Sequence, residues 1–515
     1  MRTVMVRKPS WHIIVTAILA AALGSPAWGG ATSFEEESRR LALIPENKII
    51  VTDSVQPRPE EGKIGYVYEG EDDRFRVCLN NECGPYVDRV ARGMPVISPN
   101  GSHIAAIVEK DGQARVMMDG AVSRGYDMVF DLKFSPDSTK LAYLARQDDD
   151  FFVYVNQERH PSFSIIDMEQ GLMFSEDSSV LAYVARKGEA SWHMVKNGEA
   201  GDTSYEAIRY VTFSPGGERL AYTAGKDAQW HLVEGDNKGP GYDDITHVGF
   251  CPNAEHLVYI AVAGGESVLV KNGEESGRFD HIPGEPVFSD DGRRMVYAVA
   301  EERRGDIQMR IVVDDEAGSA FDEIGAYLFS PDGDQFAYMA VQDEKGLIVQ
   351  DGEAHEAYDS VGIPVFDPTS THLAYMVYQE GKWHIRKNGE KGPGFDHVEN
   401  PVFCPDGKRM AYIAQMDGQY MVVKDDEVVG TYQWAGGLDF SPDGKHMVYA
   451  AAEDGESFLV IDGEKGNERF FSFLRGSPLV FEEGDTLKGI ALREQGREFY
   501  LIRAILDGKS AKDTD

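Results

Sequence analysis

The sequence predicts an all-β protein built from about twelve copies of one four-stranded unit. Three observations carry this prediction: a turn motif that recurs at a nearly constant interval, a second turn motif in phase with it, and short strands that are apolar on both faces. The unit is clearest over residues 439–470, which read DFSPDGKHMVYAAAEDGESFLVIDGEKGNERF. One such unit cannot bury two apolar faces by itself, so copies must stack on one another.

The first turn motif is Ser-Pro-Asp-Gly at residues 441–444. Proline presets φ at the second position and glycine accepts a left-handed conformation at the last, so the tetrapeptide favours a type I turn between two strands. Its first residue, called the anchor below, recurs at steps of 37 to 41 residues. The anchors are Ser98, Ser135, Ser175, Ser214, Cys251, Ser289, Ser330, Asp367, Cys404 and Ser441, with a degenerate copy at Glu482.

Other residue types recur in phase with the anchors. A tyrosine such as Tyr449 lies in the second strand, and Asp-Gly or Asn-Gly pairs such as Asp462-Gly463 favour a tight hairpin after the third strand. An aromatic-Asp-x-aliphatic segment follows in six of the units, with Asp127, Asp243, Asp280, Asp322, Asp359 and Asp396 as its aspartates. We interpret the aromatic residues as core and these aspartates as turn or strand-end hydrogen-bonding groups, because a residue repeated in many units most simply holds the fold.

The N-terminal residues 1–29 are predicted to be a signal peptide. Three basic residues precede an apolar run over residues 13–23 and a stretch of small residues. We therefore expect an exported protein, periplasmic or secreted, and no segment long enough to span a membrane. Residues 30–47 form an N-terminal segment in which Ser33 and Glu36 complete a capping box, which predicts a short helix ending at Pro45. Residues 509–515 are expected to be a disordered tail.

The formal net charge is −36. A surface so acidic argues against nucleic acid or anionic lipid as a partner, because both bind clusters of lysine and arginine. The sequence contains no G-x-S-x-G, H-E-x-x-H or Walker motif and no calcium-binding loop of the D-x-D-x-D-G type. We expect no cofactor, no metal and no catalytic residue.

The four cysteines fall into two kinds. Cys78 and Cys83 flank a hairpin position and are expected to form a disulfide in an oxidising compartment. Cys251 and Cys404 occupy the same anchor position in different units, so they are expected to lie too far apart to pair.

The stretch 403–414, FCPDGKRMAYIA, resembles the WD-like repeats of the TolB-like β-propeller family, with Cys404 in place of serine. The resemblance covers roughly residues 49–506 and is specific for the blade, not for an activity. It implies a β-propeller in which the strand ending at the anchor is innermost, six blades commonly close a ring, and the partners are often other envelope proteins. No separate α/β domain of the kind that precedes the propeller in TolB is expected before these repeats.

Twelve blades exceed the four to eight that a single ring typically holds. The simplest arrangement is two six-bladed rings in tandem, over residues 48–283 and 284–508, with Pro283 to Pro286 as the connector. One oversized ring and a seven-plus-five division remain as alternatives.

Few residues qualify as candidates for a functional site. The pairs Trp192-His193, Trp230-His231 and Trp383-His384 are interpreted as packing, because apolar residues take the place of the histidine in other units. The loops unique to their units carry Asp148, Asp149 and Asp150 in one case and Arg303 and Arg304 in another. We expect these loops to contribute to binding, although ordinary solvated turns would look the same.

These observations favour an exported, non-catalytic binding or scaffold protein whose partner is another envelope or extracellular protein, or a glycan. The alternative is a propeller enzyme, of the saccharide lyase or hydrolase type, with a site in a central channel.

Overall fold

A computed structural model describes residues 34–45, 48–188, 191–303, 306–474, 477–482, 486–493 and 497–506. Over these residues the chain forms 54 strands and two 3-10 segments, Thr52–Ser54 and Glu71–Asp73. The strands build twelve small antiparallel sheets, called blades 1 to 12, arranged as a β-propeller. The predicted all-β architecture of twelve repeats is confirmed.

The strands of blades 1 to 6 follow one another along the chain after β1 (Glu35–Leu43), which belongs to blade 12. Blades 1 to 3 consist of β2 (Ile49–Ile50), β3 (Gln56–Arg58), β4 (Lys63–Glu69), β5 (Phe75–Leu79) and β6 (Glu82–Cys83); β7 (Arg89–Val90), β8 (Val96–Ile97), β9 (Ile104–Lys110), β10 (Gln113–Met118) and β11 (Ala121–Val122); and β12 (Met128–Phe134), β13 (Leu141–Gln147), β14 (Asp150–Val155) and β15 (Glu158–Arg159). Blades 4 to 6 consist of β16 (Ile165–Ile166), β17 (Met173–Phe174), β18 (Leu181–Arg186), β19 (Trp192–Lys196) and β20 (Glu199–Ala200); β21 (Ala207–Phe213), β22 (Leu220–Lys226), β23 (Gln229–Glu234) and β24 (Asn237–Lys238); and β25 (Asp244–Phe250), β26 (Leu257–Ala263), β27 (Glu266–Lys271) and β28 (Glu274–Phe279).

Blades 7 to 12 repeat the same plan. Blades 7 to 9 consist of β29 (Val287–Phe288), β30 (Met295–Arg303), β31 (Asp306–Val313) and β32 (Glu316–Phe321); β33 (Glu323–Phe329), β34 (Phe336–Gln342), β35 (Lys345–Gln350) and β36 (Glu353–Ala354); and β37 (Ser360–Val361), β38 (Val365–Phe366), β39 (Leu373–Gln379), β40 (Lys382–Lys387) and β41 (Glu390–Lys391). Blades 10 to 12 consist of β42 (His397–Val398), β43 (Val402–Phe403), β44 (Met410–Met416), β45 (Gln419–Lys424) and β46 (Glu427–Tyr432); β47 (Trp434–Phe440), β48 (Met447–Glu453), β49 (Glu456–Ile461) and β50 (Glu464–Lys465); and β51 (Ser472–Phe473), β52 (Val480–Glu482), β53 (Thr486–Arg493) and β54 (Glu498–Ile505), with β1 as the outermost strand.

Each blade places its first strand nearest the axis of the ring. First strands of neighbouring blades approach one another, as β21 does with β25 and β29 with β33, whereas the last strands lie apart. In six blades the first strand is split into two short pieces that pair with the same second strand. Proline lies between the pieces in blades 2, 9 and 10, at Pro95, Pro364 and Pro401. Proline has no backbone N–H, and at these positions none is needed for hydrogen bonding between strands.

The anchor serine fixes the turn between the first two strands. The Ser441 hydroxyl donates to Asp443 Oδ1 at 2.7 Å, and its Oγ accepts the His446 N–H at 3.0 Å. The same two bonds recur at Ser135, where the backbone donor is Lys140. Ser441 is fully buried, so a hydroxyl that both donates and accepts leaves no polar atom of this side chain unsatisfied.

The hairpin after the third strand is fixed by its first turn residue. Asp462 and Gly463 have φ values of 51° and 85°, which the tight hairpin requires at both central positions. The Asp462 carboxylate accepts the Met447 N–H at 2.9 Å, and Asn156 Oδ1 accepts the Leu141 N–H at the same distance in blade 3. An acceptor at this position therefore holds the hairpin against the start of the second strand.

Aromatic rings fill the interfaces between blades. Tyr432, at the outer end of blade 10, packs edge-on against Tyr449 of blade 11, with ring centroids 5.8 Å apart and hydroxyl oxygens 2.9 Å apart. Burial raises the pKa of Tyr449 well above its usual range, and it raises that of the equivalent Tyr338 to about 12. The equivalent edge-on contacts are Tyr126–Tyr143, Phe163–Tyr183, Tyr205–Tyr222, Tyr242–Tyr259, Phe279–Tyr297, Phe321–Tyr338 and Phe395–Tyr412.

The twelve blades close a single ring. Twelve hydrophobic cores are present among the described residues, each shared by two successive blades, and they form a complete cycle. Val258 of blade 6 and Val299 of blade 7 lie in one core, and Ile490 of blade 12 shares another with Ile64 of blade 1. Over the residues that the structure describes, no blade is therefore left with an uncovered apolar face.

The expectation of two six-bladed rings is corrected by this arrangement, and the alternative of one oversized ring is the one observed. Two rings would require blade 6 to pack on blade 1, but blade 6 packs on blade 7 across the segment that contains Pro283. Blade 12 also contains β1, which precedes blade 1 in the sequence. β1 pairs antiparallel with β54 and is the outermost strand of blade 12.

The predicted helix near the N-terminus is a strand. Residues Glu35–Leu43 form β1 and pair antiparallel with β54, from Glu35 opposite Ile505 to Leu43 opposite Glu498. The local sequence satisfies a capping box, but the unpaired edge of β54 offers a full ladder of backbone hydrogen bonds that a short isolated helix cannot match. Tertiary pairing overrides the local preference here. Residues 1–29 and 509–515, predicted as signal peptide and tail, lie outside the described residues.

The hairpin of blade 1 supports the closing strand. Cys78 and Cys83 are joined by a disulfide across this hairpin, and Cys78 lies in the same core as Leu41 and Ala42 of β1. Asn81 Oδ1, at the tip of the hairpin, accepts the N–H of Leu43 at 3.1 Å. The first blade therefore holds the end of the strand that completes the last one.

Removal of a buried inner-strand aromatic should destabilise the ring. Phe403 is 7% exposed and lies in the core between blades 9 and 10. Phe403→Ala is expected to cost roughly 3 to 5 kcal/mol of unfolding free energy, measured by chemical denaturation. Ile363, which is 48% exposed in blade 9, is the control, and Ile363→Ala should change stability by less than about 0.5 kcal/mol. Equal effects of the two substitutions would contradict the assigned core.

Separation of the chain into halves should expose the apolar faces of the two terminal blades in each half. Fragments 34–282 and 285–506, expressed separately, are expected to precipitate or to become soluble only when mixed, because the core between blades 6 and 7 is split. Size-exclusion chromatography with light scattering provides the measurement. Two soluble monomeric fragments would contradict the single ring.

Glu36 should make the closure of the ring sensitive to pH. Its Oε2 accepts the Glu468 N–H at 2.9 Å, and burial raises the pKa of Glu36 from 4.5 to about 7, although the Asn467 backbone, Arg469 and Arg493 oppose the shift. A carboxyl group with a raised pKa stabilises the fold fully below its unfolded pKa of 4.5, and this contribution is lost as pH rises through about 7.

We therefore expect Glu36→Gln to raise the melting temperature relative to wild type at pH 8 and to change it little at pH 4.5. Glu35→Gln, at the exposed neighbouring position, is the control and should show no such pH-dependent difference. An identical wild-type and Glu36→Gln profile across this pH range would contradict a pKa of Glu36 that folding raises.

Candidate functional site

The ring has two faces with different turn chemistry. The hairpin face carries the turns between the second and third strands, and the anchor-turn face carries the anchor turns and the hairpins between the third and fourth strands. On the hairpin face, five of the six aspartates of the aromatic-Asp-x-aliphatic segments cap the turn of their own blade, whereas Asp359 accepts a hydrogen bond from Lys345 Nζ. Asp243 Oδ2 accepts the Gly264 N–H at 2.7 Å, and Asp396 Oδ2 accepts the Asp417 N–H at 2.9 Å. These carboxylates hold turns, as the repetition of the motif predicts.

The candidate binding residues Asp148 and Asp149 are the two central residues of such a turn in blade 3. Their φ values are 51° and 69°, and the Asp148 N–H donates to Asp127 Oδ2 at 3.0 Å. The Asp149 carboxylate is 92% exposed and accepts from the Arg146 guanidinium at 2.7 Å. Asp150 begins β14 and is exposed. The backbone of this loop is therefore part of the repeated fold, and its role in binding stays a prediction.

The second candidate loop lies in blade 7. Arg303 ends β30, and its backbone lies opposite Asp306 of β31 in the strand register. Arg304 lies outside the described residues. Blades 4, 5 and 6 separate this loop from the loop of blade 3 along the ring. The structure therefore does not bring the two candidate loops together in one site.

The three Trp-His pairs are structural. His193, His231 and His384 each place Nδ1 within 2.9 to 3.0 Å of a glycine carbonyl oxygen that follows the next hairpin. The neighbouring Trp230 packs beneath the Arg209 guanidinium, which lies 3.5 Å from the ring centroid. The interpretation of these pairs as packing residues agrees with these contacts.

Carboxylates of the anchor turns are also committed to the fold. Hydrogen bonds from Ser175 and Ser179 lower the pKa of Asp177 to about 2, and the bonds from Lys445 and then Ser441 hold the pKa of Asp443 well below its usual range. Free Cys251 and Cys404 are buried at the anchor positions of blades 6 and 10. Recurring polar residues thus mostly complete turns, and binding sites must be sought between the blades.

Crevices recur on the anchor-turn face between the outer parts of neighbouring blades. Those between blades 5 and 6, 4 and 5, and 7 and 8 have volumes of about 360, 430 and 460 Å³. A crevice of about 600 Å³ lies between blades 12 and 1, beside the closing strand. The one between blades 2 and 3, called the 2/3 crevice below, is larger, at about 780 Å³. This volume lies in the range of ligand-binding pockets.

The 2/3 crevice has an apolar floor and polar walls. Val116, Met118 and Leu141 form part of the floor. The walls are built from His103, Asp119, Ser138, Thr139, Asn156 and Gln157. A few convergent polar groups around an apolar surface are the usual composition of a small-ligand site.

Each wall of the 2/3 crevice is positioned by turn chemistry. His103 Nδ1 lies 2.7 Å from Asp119 Oδ2, and the other oxygen of Asp119 accepts the Ile104 N–H at 2.9 Å. The Ser138 hydroxyl accepts the Asn100 N–H at 3.0 Å, which joins the anchor turns of blades 2 and 3. Sequence analysis missed this site because its residues belong to turns that look structural when each blade is considered alone.

No family model matches the chain, and no curated protein matches it by sequence. Among solved structures, the chain is similar to “putative TolB from Agrobacterium tumefaciens”, with 13% identity over 45% of this chain and 94% of the other, at a TM-score of 0.23. In the part of the chain that the structure describes, no helix has the length and apolar character needed to cross a membrane.

Proposed function

We propose that this chain is an exported, non-catalytic β-propeller that binds another envelope protein or a glycan. The observation that supports this function best is the 2/3 crevice, which combines the largest of the described crevice volumes with an apolar floor and several polar walls. Rigid blades on both sides fix the geometry of these walls, so little side-chain order has to be gained on binding.

Two further observations support the proposal. Many polar side chains recur from blade to blade, and they form hydrogen bonds to the backbone of their own blade, as Asp243 and His231 do. These carboxylates, hydroxyls and imidazoles therefore stabilise the fold. Export is supported by the leader-like N-terminal sequence and by the Cys78–Cys83 disulfide, a bond typical of oxidising compartments.

The proposal is tested by site-directed photo-crosslinking in the native envelope. A photoreactive residue placed at Gln157, in the 2/3 crevice, is expected to form a discrete adduct on irradiation. Asp236 occupies the same hairpin position in blade 5 and lines the smaller crevice between blades 4 and 5, so a probe at Asp236 is the matched control. Mass spectrometry identifies the adduct and the mature N-terminus, which we expect near residue 30.

The adduct at Gln157 should disappear when Ala121→Trp fills the 2/3 crevice, and the control should give none. Adducts of equal yield at both positions, or none at Gln157, would contradict a binding function of this crevice. An uncleaved N-terminus in the cytoplasm would contradict export.

A further inference from the structure

The 2/3 crevice is lined by two carboxylates, Asp119 and Asp137, and, among the residues that the structure describes, by no lysine or arginine. Asp119 Oδ2 lies 2.7 Å from His103 Nδ1, and the Asp137 carboxylate accepts hydrogen bonds from the Ser135 and Thr139 hydroxyls inside its own anchor turn. The Ser138, Asn156 and Gln157 side chains are uncharged. The crevice between blades 12 and 1 differs, since Glu37, Arg39, Glu61, Glu482, Lys488 and Arg503 line it. In a chain of net charge −36, the largest described crevice is thus lined mainly by neutral hydrogen-bonding groups.

Several of these groups retain hydrogen-bonding capacity. The Ser138 hydroxyl accepts from Asn100, and its own proton is free to be donated to another acceptor. The Asn156 amide uses one N–H on the Thr139 carbonyl at 3.1 Å, which leaves the second N–H. The exposed Gln157 side chain forms no hydrogen bond to any residue that the structure describes. The walls therefore offer both donors and acceptors over a short distance.

The floor of the 2/3 crevice supplies an apolar surface next to these groups. Val116 is buried, and Met118 and Leu141 pack in the same core between blades 2 and 3. The side chain of Ala121 lies on the same side of its strand pair as that of Met118, because the two residues are directly opposite in register. Ala121 therefore borders the crevice from the edge of blade 2.

We propose that the 2/3 crevice binds a short neutral oligosaccharide, an inference that rests on the binding function proposed above. A sugar ring has hydroxyl groups around its rim, each able to donate and accept, and C–H groups on its faces. The rim matches the hydroxyl and amide walls, and a face matches the apolar floor. An anionic ligand would lose its hydration without a lysine or arginine of the lining to replace it, which is costly. The oxygens of Asp119 and Asp137, which would attract a cation, already accept hydrogen bonds inside their turns.

The ligand class is tested with defined trisaccharides and the full-length mature protein. Cellotriose, maltotriose and triacetylchitotriose are the probes, with binding measured by saturation-transfer NMR and calorimetry. We expect at least one to bind wild type, with an affinity that changes less than twofold between about 0.05 and 0.5 M sodium chloride, because a neutral ligand is not screened.

Three variants assign this binding to the 2/3 crevice. Ala121→Trp should abolish binding by occupying the crevice, and Gln157→Ala should weaken it about three- to tenfold through the loss of one hydrogen bond. Asn237→Trp is the matched control, since Asn237 follows the hairpin of blade 5 as Ala121 follows that of blade 2, and it lines the smaller crevice between blades 5 and 6. It should bind as wild type does, and all variants should retain the wild-type melting temperature.

Two outcomes would overturn the saccharide assignment. One is the absence of binding by all three probes, and the other is equal loss of binding in Ala121→Trp and Asn237→Trp. If the crosslinker at Gln157 captures a protein while no trisaccharide binds, the ligand class is wrong and the proposed binding function stands. If the crosslinker also captures nothing, both proposals fail.

Discussion

The structure depends on one constraint: every blade is apolar on both faces and must be covered on both sides. In β48, five consecutive residues from Met447 are buried, and adjacent residues serve different interfaces. Val448 packs in the core with blade 12, whereas Tyr449 packs in the core with blade 10. A stack of such blades is stable only when it has no ends. The antiparallel pairing of β1 with β54 removes the ends by joining the first and last described strands of the chain in one blade.

A ring of twelve blades also has many exposed strand edges, which are sites of unwanted strand pairing. On the inner side, Pro95, Pro364 and Pro401 interrupt the first strands of blades 2, 9 and 10. These edges are therefore short, and each proline offers no backbone N–H to another strand. On the outer side, the last strand of most blades has only two residues, as in β15 and β41. The inner edges of blades 2, 9 and 10 and the outer edges of most blades are therefore short.

Hydrogen-bonding residues are distributed according to the same repeat. The anchor serine, the hairpin Asp or Asn and the aspartate that caps the opposite turn use their polar atoms inside each blade, as Ser441, Asp462 and Asp396 show. What differs between interfaces is the space left where the outer strands diverge. The 2/3 crevice forms where blade 2 contributes Met118 and Ala121 and blade 3 contributes Leu141 and Gln157. Its character comes from pairs of blades and not from any single motif.

The sequence by itself determined the strands, the turns and the number of repeats. Each of these depends on contacts within a few residues, such as the bond from Ser441 to Asp443, and so leaves a direct signal in residue type and spacing. The tertiary structure alone decided how many blades share a ring, because ring closure depends on a small rotation added up over twelve interfaces. It also decided that Glu35–Leu43 is a strand, since its partner β54 lies more than 450 residues away in the chain. The 2/3 crevice followed for the same reason, because its two walls meet only when neighbouring blades pack.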